Sequence, residues 1–327
     1  MLYVQTGSDD ACWNLALEEY FATVKKPGEM VFFLWQTKPT LVMGKFQNTN
    51  VEISMDYVRA HGVKVVRRMS GGGTIYSDKG NWMFSFIDYD APGEGIRFKA
   101  YMQPILDALR GLGVDAAFNG RNDIVIDGKK VSGNAQYRLK GTTVHHGTLL
   151  FDGDIEAMVA STTVDDEKIL SKSIRSVRDR VTNIRDHLQL PMAARAFGEY
   201  LKGSVMGEGG RVYVLTEEDR AAIERLTWEK YESWDWTFGM NPRYSLERSA
   251  RLPGGRVTFR MDVEQNVIRA AALNGDFFAG ERADELAAAL VGCPYDRDAV
   301  RRRLVDGRFE DVIYGVTIEQ LVSTIVI

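Results

Sequence analysis

A chain of 327 residues is about twice the usual length of one domain, which predicts two domains. Hydrophobic residues make up 45% and charged residues 26% of the sequence, proportions that exclude the disordered, collagen-like and membrane-spanning classes. The formal net charge of −4 argues against nucleic-acid binding, because a nucleic-acid-binding face needs a surplus of lysine and arginine.

Cysteine usage and the N-terminal sequence bear on the cellular compartment. Cys12 and Cys293 are too few for a disulfide framework, and neither belongs to a cluster with zinc-ligand spacing. The N-terminus lacks the basic start and apolar stretch of a signal peptide, and no later stretch has the length and apolar character of a membrane span. We therefore expect a water-soluble cytoplasmic protein.

The first half of the chain has the signals of one helix followed by a sheet. Ser8 and Asp9 are good N-cap residues, and apolar side chains at helical spacing after them predict an amphipathic first helix. Apolar runs predict strands at 30–35, 41–43, 63–66 and 81–88. A helix is predicted at 98–112, with Pro104 as its weakest point, and strands follow at 123–126 and 142–151.

The second half begins with a largely helical region and ends in a separate small unit. Helical spacing dominates 154–232, including 193–201 and 217–231, so helices follow strands in blocks. This order favours an α+β fold with a mixed or antiparallel sheet over regular βαβ alternation. A boundary region at 234–255 precedes paired strands at 256–261 and 267–273 and helices at 283–290 and 297–304. We place the two domains at 1–246 and 247–327.

A glycine-rich segment at 67–76 joins two strand signals through three consecutive glycines. Glycine permits positive φ and a close approach of backbone N–H groups to a ligand, and the paired arginines Arg67 and Arg68 supply cationic forks for phosphate or carboxylate. A flexible hairpin with two surface arginines is the alternative. The segment matches neither the phosphate-loop pattern nor the dinucleotide fingerprint, so a different nucleotide-binding fold is needed.

Four further segments make a pattern with this loop. They are the run at 121–135 around Lys130, His-His-Gly-Thr-Leu-Leu at 145–150, the segment 176–183 and the aromatic segment 234–242. In this order, over nearly the whole chain, the segments resemble the lipoate protein ligase family. The resemblance implies an α+β fold: a mixed-sheet catalytic domain of the biotin and lipoate ligase type, with a small α+β C-terminal accessory domain.

The resemblance also implies an activity. Such an enzyme uses ATP and Mg²⁺ to activate lipoate as lipoyl adenylate and releases pyrophosphate. It then transfers the lipoyl group to a lysine of an acceptor domain and releases AMP, in the scavenging of lipoate. The implied acceptors are 2-oxoacid dehydrogenase acyltransferase subunits and the glycine cleavage H protein. We expect no tightly bound cofactor and a monomeric protein.

Lys130 matches the catalytic lysine of the family. The physical case is independent, because adenylation brings a carboxylate against the α-phosphate of ATP, and these two anions repel until a cation lies between them. The neighbouring Lys129 points to the opposite side of an extended segment and is interpreted as solvated surface. An ordinary surface position is the alternative for Lys130 as well.

Other residues take their expected roles from the same match. Asp123 falls where a carboxylate holds Mg²⁺ or orients Lys130, and Asn122 is a nucleotide contact, although both residues also suit a turn before a strand. The ATP-binding residues are expected to be Arg68, Gly73, Thr74, Ile75, Tyr76, Asn122, Asp123 and Lys130. The lipoate-binding residues are expected to be Arg67, Gly72, Lys130 and His146.

Two histidines lie side by side in the predicted strand at 142–151. His146 matches a family histidine that lines the lipoyl pocket, where a neutral imidazole forms hydrogen bonds without adding charge. His145 points to the other face of the strand and is interpreted as a satisfied core histidine. Ser77 departs from the histidine that many relatives carry, and Asn81 matches a family asparagine without an assigned role.

Lys168, Lys172 and Arg175 recur at i, i+4 and i+7 and would form a basic stripe on a helix. The stripe is either a solvated face or a docking surface for acidic acceptor domains. Two rival functions are a transferase that works through a cysteine thioester and a lipoate-binding protein without catalysis. The positions of Cys12 and Cys293 outside the motifs disfavour the first, and Lys130 with Asp123 disfavours the second.

Overall fold

The computed structural model describes residues 1–47, 49–91, 95–120, 122–162, 177–239, 246–264 and 266–326. The basic stripe of Lys168, Lys172 and Arg175 lies outside the described residues, as does Arg121. Within the described residues before 240, eleven strands form two sheets. They are β1 (Leu2–Val4), β2 (Val31–Trp35), β3 (Thr40–Met43), β4 (Lys64–Arg67), β5 (Ile75–Ser77), β6 (Trp82–Asp88), β7 (Ala116–Asn119), β8 (Asp123–Ile126), β9 (Lys129–Leu139), β10 (Thr142–Leu149) and β11 (Arg211–Tyr213).

The larger sheet is mixed and has the order β11-β1-β2-β6-β10-β9-β8-β7. Strand β1 runs parallel to β2 and β11, whereas the remaining neighbours are antiparallel. The mixed sheet and the helices around it confirm the predicted α+β class. The antiparallel run from β6 to β8 brings the segments 122–135 and 145–150 side by side, because β9 pairs with both β8 and β10.

A small sheet presents the glycine-rich loop. Strand β3 lies between β4, which runs parallel to it, and β5, which runs antiparallel. The chain therefore leaves β4 at Arg67, crosses the end of β3 and returns at Ile75. This crossing places the loop 68–74 at the edge of the small sheet, next to the turn that follows β3.

Helices cover both faces of the larger sheet. The described helices are α1 (Ala11–Tyr20), α2 (Thr49–Glu52), α3 (Met55–His61), α4 (Phe98–Gly111), α5 (Ile155–Thr162), α6 (Ala194–Met206), α7 (Glu217–Leu226), α8 (Trp234–Thr237), α9 (Ala283–Leu290), α10 (Arg297–Asp306) and α11 (Ile318–Ile325). Helices α4 and α6 share one hydrophobic cluster with the sheet, and α1 and α7 share another on the opposite face. The chain continues α1 and α7 as π-helical turns at Phe21–Lys25 and Thr227–Tyr231, and a 3₁₀ turn lies at Ile184–His187.

Two helices show how local sequence sets their form. Helix α1 begins after Asp10, whose carboxylate accepts hydrogen bonds from the backbone N–H groups of Cys12 and Trp13. The cap is therefore one residue later than Asp9 and two later than Ser8. Helix α4 continues through Pro104. The carbonyl that loses its helical partner there belongs to Ala100, which is exposed and therefore open to water.

The C-terminal segment has a three-stranded antiparallel sheet of β12 (Leu246–Leu252), β13 (Gly255–Glu264) and β14 (Val267–Gly275). Helices α9 to α11 complete a hydrophobic cluster with this sheet, and Phe277 lies in it. The next residue, Phe278, belongs instead to the cluster under the large sheet, where its ring meets that of Phe98 edge to face at 5.2 Å. One dipeptide therefore contributes to two cores.

Several elements differ from the sequence prediction. Strands β1, β5, β7 and β12 and helices α2, α3, α8 and α11 were missed, and β11 lies within the region predicted to be largely helical. Strand β9 was foreseen only as an extended segment at Lys129 and Lys130. Strand β11 is short, and its first two residues are exposed, so it shows no alternation of buried and exposed positions. The strand pairs at 256–261 and 267–273 and the two helices after them are confirmed with slightly different ends.

Candidate functional site

A cavity of about 120 Å³ lies where the glycine-rich loop, α1, β9 and β10 meet. Both the predicted nucleotide motif and the histidine motif open into it. The cavity is lined by Leu15, Trp35, Val42, Arg68, Gly72, Gly73, Thr74, Ile75, Met83, Asn122, Lys130, Gly133, Asn134, Ala135, His146, Gly147, Thr148 and Phe278. One part of the lining is apolar, and the other contains a lysine, two asparagine amides and loop backbone.

Arg68 shapes the glycine-rich loop from inside. Its guanidinium donates to the carbonyls of Val42, Gly71 and Gly73 and to Ser70 Oγ, at 2.7 to 2.9 Å. Burial lowers the pKa of Arg68 to about 10, which leaves it protonated at neutral pH. Arg68, which was predicted to bind ATP, lines the cavity, and these hydrogen bonds hold the loop in shape.

Gly72 packs closely against the C-terminal segment. Its φ is +91°, and an added Cβ would lie 2.9 Å from the ring of Phe278. Its backbone N–H donates to the carbonyl of Phe277 at 2.9 Å. A side chain at this position would therefore both strain the backbone and push Phe278 away.

Arg67 requires a correction, because it does not line the cavity although it was predicted to bind lipoate. Its side chain is fully buried, and its guanidinium is taken up by the backbone carbonyls of two segments. It donates to Gly44, Lys45 and Gln47 in the turn after β3 and to Trp236 and Thr237 in α8, at 2.7 to 3.0 Å. Arg67 thus fastens α8 to the base of the loop.

Tyr76, which was predicted to contact ATP, also does not line the cavity. Its buried side chain packs in a separate cluster with Leu41 and Val58. By contrast, Gly73, Thr74 and Ile75, which were also predicted to bind ATP, line the cavity. Thr74 is held by a hydrogen bond from its hydroxyl to Gln47 Oε1 at 2.9 Å.

Lys130 and Asp123 meet at the polar end of the cavity. Lys130 Nζ lies 2.8 Å from Asp123 Oδ1, and 40% of the lysine side chain remains exposed. An added Cβ at Gly133 would lie 3.0 Å from Lys130 Nζ, so the glycine leaves the ammonium its path into the cavity. Lys129 points elsewhere and donates to the carbonyl of Arg178 at 3.3 Å. The two lysines therefore take opposite sides of β9, as the strand geometry predicts.

At the other end, His146 bridges two polar side chains. Its Nδ1 lies 2.9 Å from Glu18 Oε1, and its Nε2 lies 2.7 Å from Ser70 Oγ. Glu18 is almost completely buried and also accepts a hydrogen bond from Ser85 Oγ at 2.5 Å. The imidazole is thus fixed in orientation between α1 and the glycine-rich loop.

Sequence reasoning missed Glu18, although a signal was present. Glu18 stands three residues after Leu15 and four before Ala22, so it occupies the buried stripe of α1 together with these apolar residues. A carboxylate on the apolar face of a helix needs a partner. Its partner, His146, is far away in sequence, so the pairing itself had no local signature.

His145 differs from the satisfied core histidine that was expected. Its Nε2 lies 3.2 Å from Asn134 Oδ1, but Nδ1 has no hydrogen-bond partner among the described residues. Burial lowers the pKa of His145 well below its usual value, and the neighbouring His146 adds to this effect, so the imidazole is neutral. Ser77 and Asn81 are likewise buried with polar atoms that lack partners in the described structure, but neither lines the cavity.

The described part of the chain shows neither a cluster of metal ligands nor an exposed thiol. No group of three His, Cys, Asp or Glu residues there has a metal-binding arrangement. Cys12 is buried, its thiol donates to the carbonyl of Tyr231, and burial raises its pKa to about 12. Cys293 is buried too, and burial raises its pKa. Neither sulfur lines the cavity.

None of the described helices combines the length and apolar character needed to cross a bilayer.

Comparison with known proteins gives matches along most of the chain. The lipoyl protein ligase A/B catalytic domain matches residues 10–205, and the bacterial lipoate protein ligase C-terminus matches residues 241–325. A lipoate-protein ligase of Bacillus subtilis is 38% identical over 99% of this chain and 97% of its own length. Lipoate–protein ligase 1 of Staphylococcus aureus is 39% identical over 90% of each chain.

Solved structures show the same fold at lower identity. P. falciparum LipL1 in complex with lipoate has a TM-score of 0.77 at 20% identity and covers 93% of this chain and 94% of its own. The bipartite lipoate protein ligase of Thermoplasma acidophilum, solved in a study with its E2 lipoyl domain, has a TM-score of 0.63 at 24% identity, over 75% of this chain and 98% of its own.

The mixed-sheet α+β fold and the cavity with its lysine and glycine-rich loop, together with these matches, define an enzyme of the ligase class. The chain belongs to the lipoate protein ligase family.

Proposed function

We propose that this protein activates lipoate with ATP as lipoyl adenylate and then transfers the lipoyl group to a specific lysine of acceptor domains. The observation that carries the proposal is the polarity of the cavity. Leu15, Trp35, Val42 and Met83 form an apolar part, whereas Lys130 and Asn122 lie in the polar part. A lipoyl chain with its carboxylate toward Lys130 would satisfy both parts.

Adenylation requires two anions to meet. The lipoate carboxylate attacks the α-phosphorus of ATP, and pyrophosphate leaves. Lys130 supplies a cation between the reacting groups, and Gly72, Gly73 and Thr74 of the glycine-rich loop line the same cavity. Asp123 keeps the ammonium in place through the 2.8 Å ion pair. The glycines allow the backbone to enclose the mixed anhydride and so protect it from water.

Transfer follows in the same site. The neutral ε-amine of an acceptor lysine attacks the acyl carbon of the adenylate, and AMP leaves with the electron pair of the broken anhydride bond. We further propose that the acceptors are acyltransferase subunits of 2-oxoacid dehydrogenases and the glycine cleavage H protein, as part of lipoate scavenging, and that the protein acts as a cytoplasmic monomer. The T. acidophilum study with an E2 lipoyl domain supports an acceptor of this kind.

Magnesium would enter with ATP. Mg²⁺ usually binds proteins through one or two carboxylates together with substrate phosphates, and Asp123 offers one carboxylate beside the cavity. The metal would screen the charge of the leaving pyrophosphate.

The roles of the individual residues belong to this proposal. Arg68, Gly73, Thr74, Ile75 and Asn122 would surround the nucleotide, and Gly72 and His146 would contact the lipoyl group. Residues 1–246 would perform the chemistry, and residues 247–327 would cover the site as an accessory domain. Phe278 supports this division, because it lines the cavity from the C-terminal segment.

Exchange of labelled pyrophosphate into ATP tests the first half-reaction. We expect exchange that depends on lipoate. Exchange without lipoate, or none with it in the folded protein, would contradict adenylation. The thioester route is disfavoured, because the thiols of Cys12 and Cys293 are buried and lie outside the cavity lining.

A further inference from the structure

His145 lies on β10 with its side chain on the face opposite His146. Its Nε2 is 3.2 Å from the amide oxygen of Asn134. An amide oxygen only accepts hydrogen bonds, so Nε2 must carry the proton of the neutral ring. Nδ1 is then an unprotonated acceptor, and it has no partner among the residues that the structure describes.

Aromatic rings hold this imidazole in one orientation. The ring of Tyr101 stacks on it at 5.1 Å, with 22° between the planes. Phe98 meets it edge to face at 5.8 Å, and Phe84 stacks at 6.0 Å. The direction of the Nε2 proton is therefore set by packing, and solvent does not reach the ring, since His145 is completely buried.

The amide of Asn134 connects His145 to the edge of the cavity through hydrogen bonds. Its Nδ2 donates to the carbonyl of Asn122 and to Ser132 Oγ, each at 3.0 Å. The Asn134 backbone N–H donates to the same Asn122 carbonyl at 2.9 Å, and Asn122 Nδ2 donates back to the Asn134 carbonyl at 2.8 Å. Both asparagines line the cavity. Asn122 is thus hydrogen-bonded to Asn134 of β9 through both its backbone carbonyl and its side-chain amide.

The absence of a side chain at Gly147 leaves space for the Asn134 amide. Gly147 is paired with Asn134 across β9 and β10, and an added Cβ would lie 2.3 Å from Asn134 Oδ1 and 2.4 Å from Phe84 Cζ. The amide is therefore packed against bare backbone. It has one orientation in which the oxygen faces His145 and the nitrogen faces Asn122.

A histidine is a costly choice for this position if it serves only as core. A buried polar atom without a partner lowers stability, whereas a phenylalanine would fill much of the same aromatic enclosure without an orphaned nitrogen. The group that His145 holds is the amide of Asn134, which is in turn hydrogen-bonded to Asn122 at the cavity. Asn122 directly precedes Asp123, the ion-pair partner of Lys130.

We propose that His145 is a positioning residue for the nucleotide end of the site, acting through Asn134 on Asn122 and so on the Asp123–Lys130 pair. The inference rests on the proposed function for the assignment of that end to ATP. It gives the two adjacent histidines separate tasks. His146 orders the end near Glu18, and His145 orders the end near Lys130.

The test compares His145→Phe, which keeps an aromatic ring but removes the donor, with His145→Gln, whose amide N–H restores a donor. We expect His145→Phe to weaken ATP binding about tenfold by calorimetry, the equivalent of about one hydrogen bond. The KM for lipoate in pyrophosphate exchange should change by less than about twofold, and His145→Gln should recover most of the ATP affinity. His61→Phe is the control, because His61 is exposed and stacks only on Tyr57.

A double-mutant cycle separates positioning from simple packing. Asn134→Ala should weaken ATP binding at least as much as His145→Phe, and the double variant should lose nothing further. Additive losses, equal losses for ATP and lipoate, or unchanged ATP affinity in His145→Phe would each overturn the proposal. If His145→Phe does not melt cooperatively, His145→Leu, which also removes the donor, takes its place in the cycle. A wild-type protein that binds ATP without exchange would refute the proposed function and leave this comparison intact, whereas no ATP binding would overturn both.

Discussion

His146 Nδ1 lies 2.9 Å from Glu18 Oε1 inside the protein, and His146 pairs with Ala135, five residues along β9 from Lys130. The carboxylate comes from the apolar stripe of α1, and the histidine comes from the centre of the large sheet. Ser70 completes the contact from the glycine-rich loop, with its hydroxyl 2.7 Å from His146 Nε2. Three separate elements are therefore joined at the end that we assign to the lipoyl group.

Replacing Glu18 by Gln should impair the use of lipoate and spare the use of ATP. The substitution keeps the shape but removes the charged acceptor of the His146 ring, so the imidazole loses its fixed orientation. We expect the KM for lipoate to rise about tenfold and the KM for ATP to stay within about twofold in pyrophosphate exchange. Glu19→Gln is the control, because Glu19 pairs with Lys230 at 2.7 Å and does not line the cavity. Equal effects on both substrates would contradict the assignment of this end.

Lys130→Ala should keep the fold but lose most adenylate formation. The exchange rate should fall about 10²- to 10³-fold, because a cation between two reacting anions is removed. Lys129→Ala is a matched control on the same strand, with its side chain directed to Arg178. Pyrophosphate exchange measures both variants. Equal losses in the two would remove the case for Lys130.

Phe278→Ala should separate the two half-reactions. The ring joins the C-terminal segment to Gly72 and Phe98, and its removal opens the cavity to water. We expect adenylation to fall about tenfold or more, whereas transfer from preformed lipoyl adenylate should be largely retained, because the acceptor needs an open site.

The control for Phe278 is Phe309→Ala. Both side chains are 3% exposed, but Phe309 lies in the cluster of the C-terminal segment and away from the cavity. Both assays are run below the melting transition of each variant. Loss of transfer as severe as loss of adenylation in Phe278→Ala, or the same division in Phe309→Ala, would contradict a covering role for Phe278.

The depressed pKa of His145 predicts a contribution to acid destabilisation. Burial, followed by the charge of His146, lowers its pKa in the folded state, whereas the unfolded chain has a pKa of about 6.5. The unfolded state therefore binds the proton more readily, and the stability from this site is present above about pH 6.5 and is lost as the pH falls.

His145→Gln should remove this part of the pH dependence. A single proton gives a slope of up to about 1.4 kcal/mol per pH unit, and glutamine does not titrate. Urea unfolding at about pH 7 and about pH 5.5 measures the free energy of unfolding for both proteins. The wild type should lose more stability than the variant over this interval. Equal losses would show that His145 is not the titrating group.

Periodicity and motif order predicted the mixed-sheet class, the helix α4, the paired strands β13 and β14 and the glycine-rich loop that follows β4. These features depend on local spacing, which a sequence displays directly. Strand β11 was missed because its exposed residues show no alternation, and it exists only because β1 pairs with it. Long-range pairing has no local signature.

The same distinction applies to the site. Eight expected residues line the cavity, namely Arg68, Gly72, Gly73, Thr74, Ile75, Asn122, Lys130 and His146. Arg67 and Tyr76 belong to the same motif but are turned inward, because alternate residues of a strand leave on opposite faces and the carbonyls after β3 capture the Arg67 guanidinium. Phe278 lines the cavity and Glu18 contacts the cavity residue His146. Both come from distant segments, so only the tertiary structure brings them into place.

Intact-mass spectrometry of a purified lipoyl acceptor domain tests the central claim most directly. The domain is incubated with the full-length protein, ATP, Mg²⁺ and lipoate, and each small molecule is omitted in turn. We predict a mass increase of one lipoyl group on a single lysine, only when all three are present and only with Lys130 intact. An unmodified acceptor in the complete mixture, or modification that continues without ATP, would contradict the account.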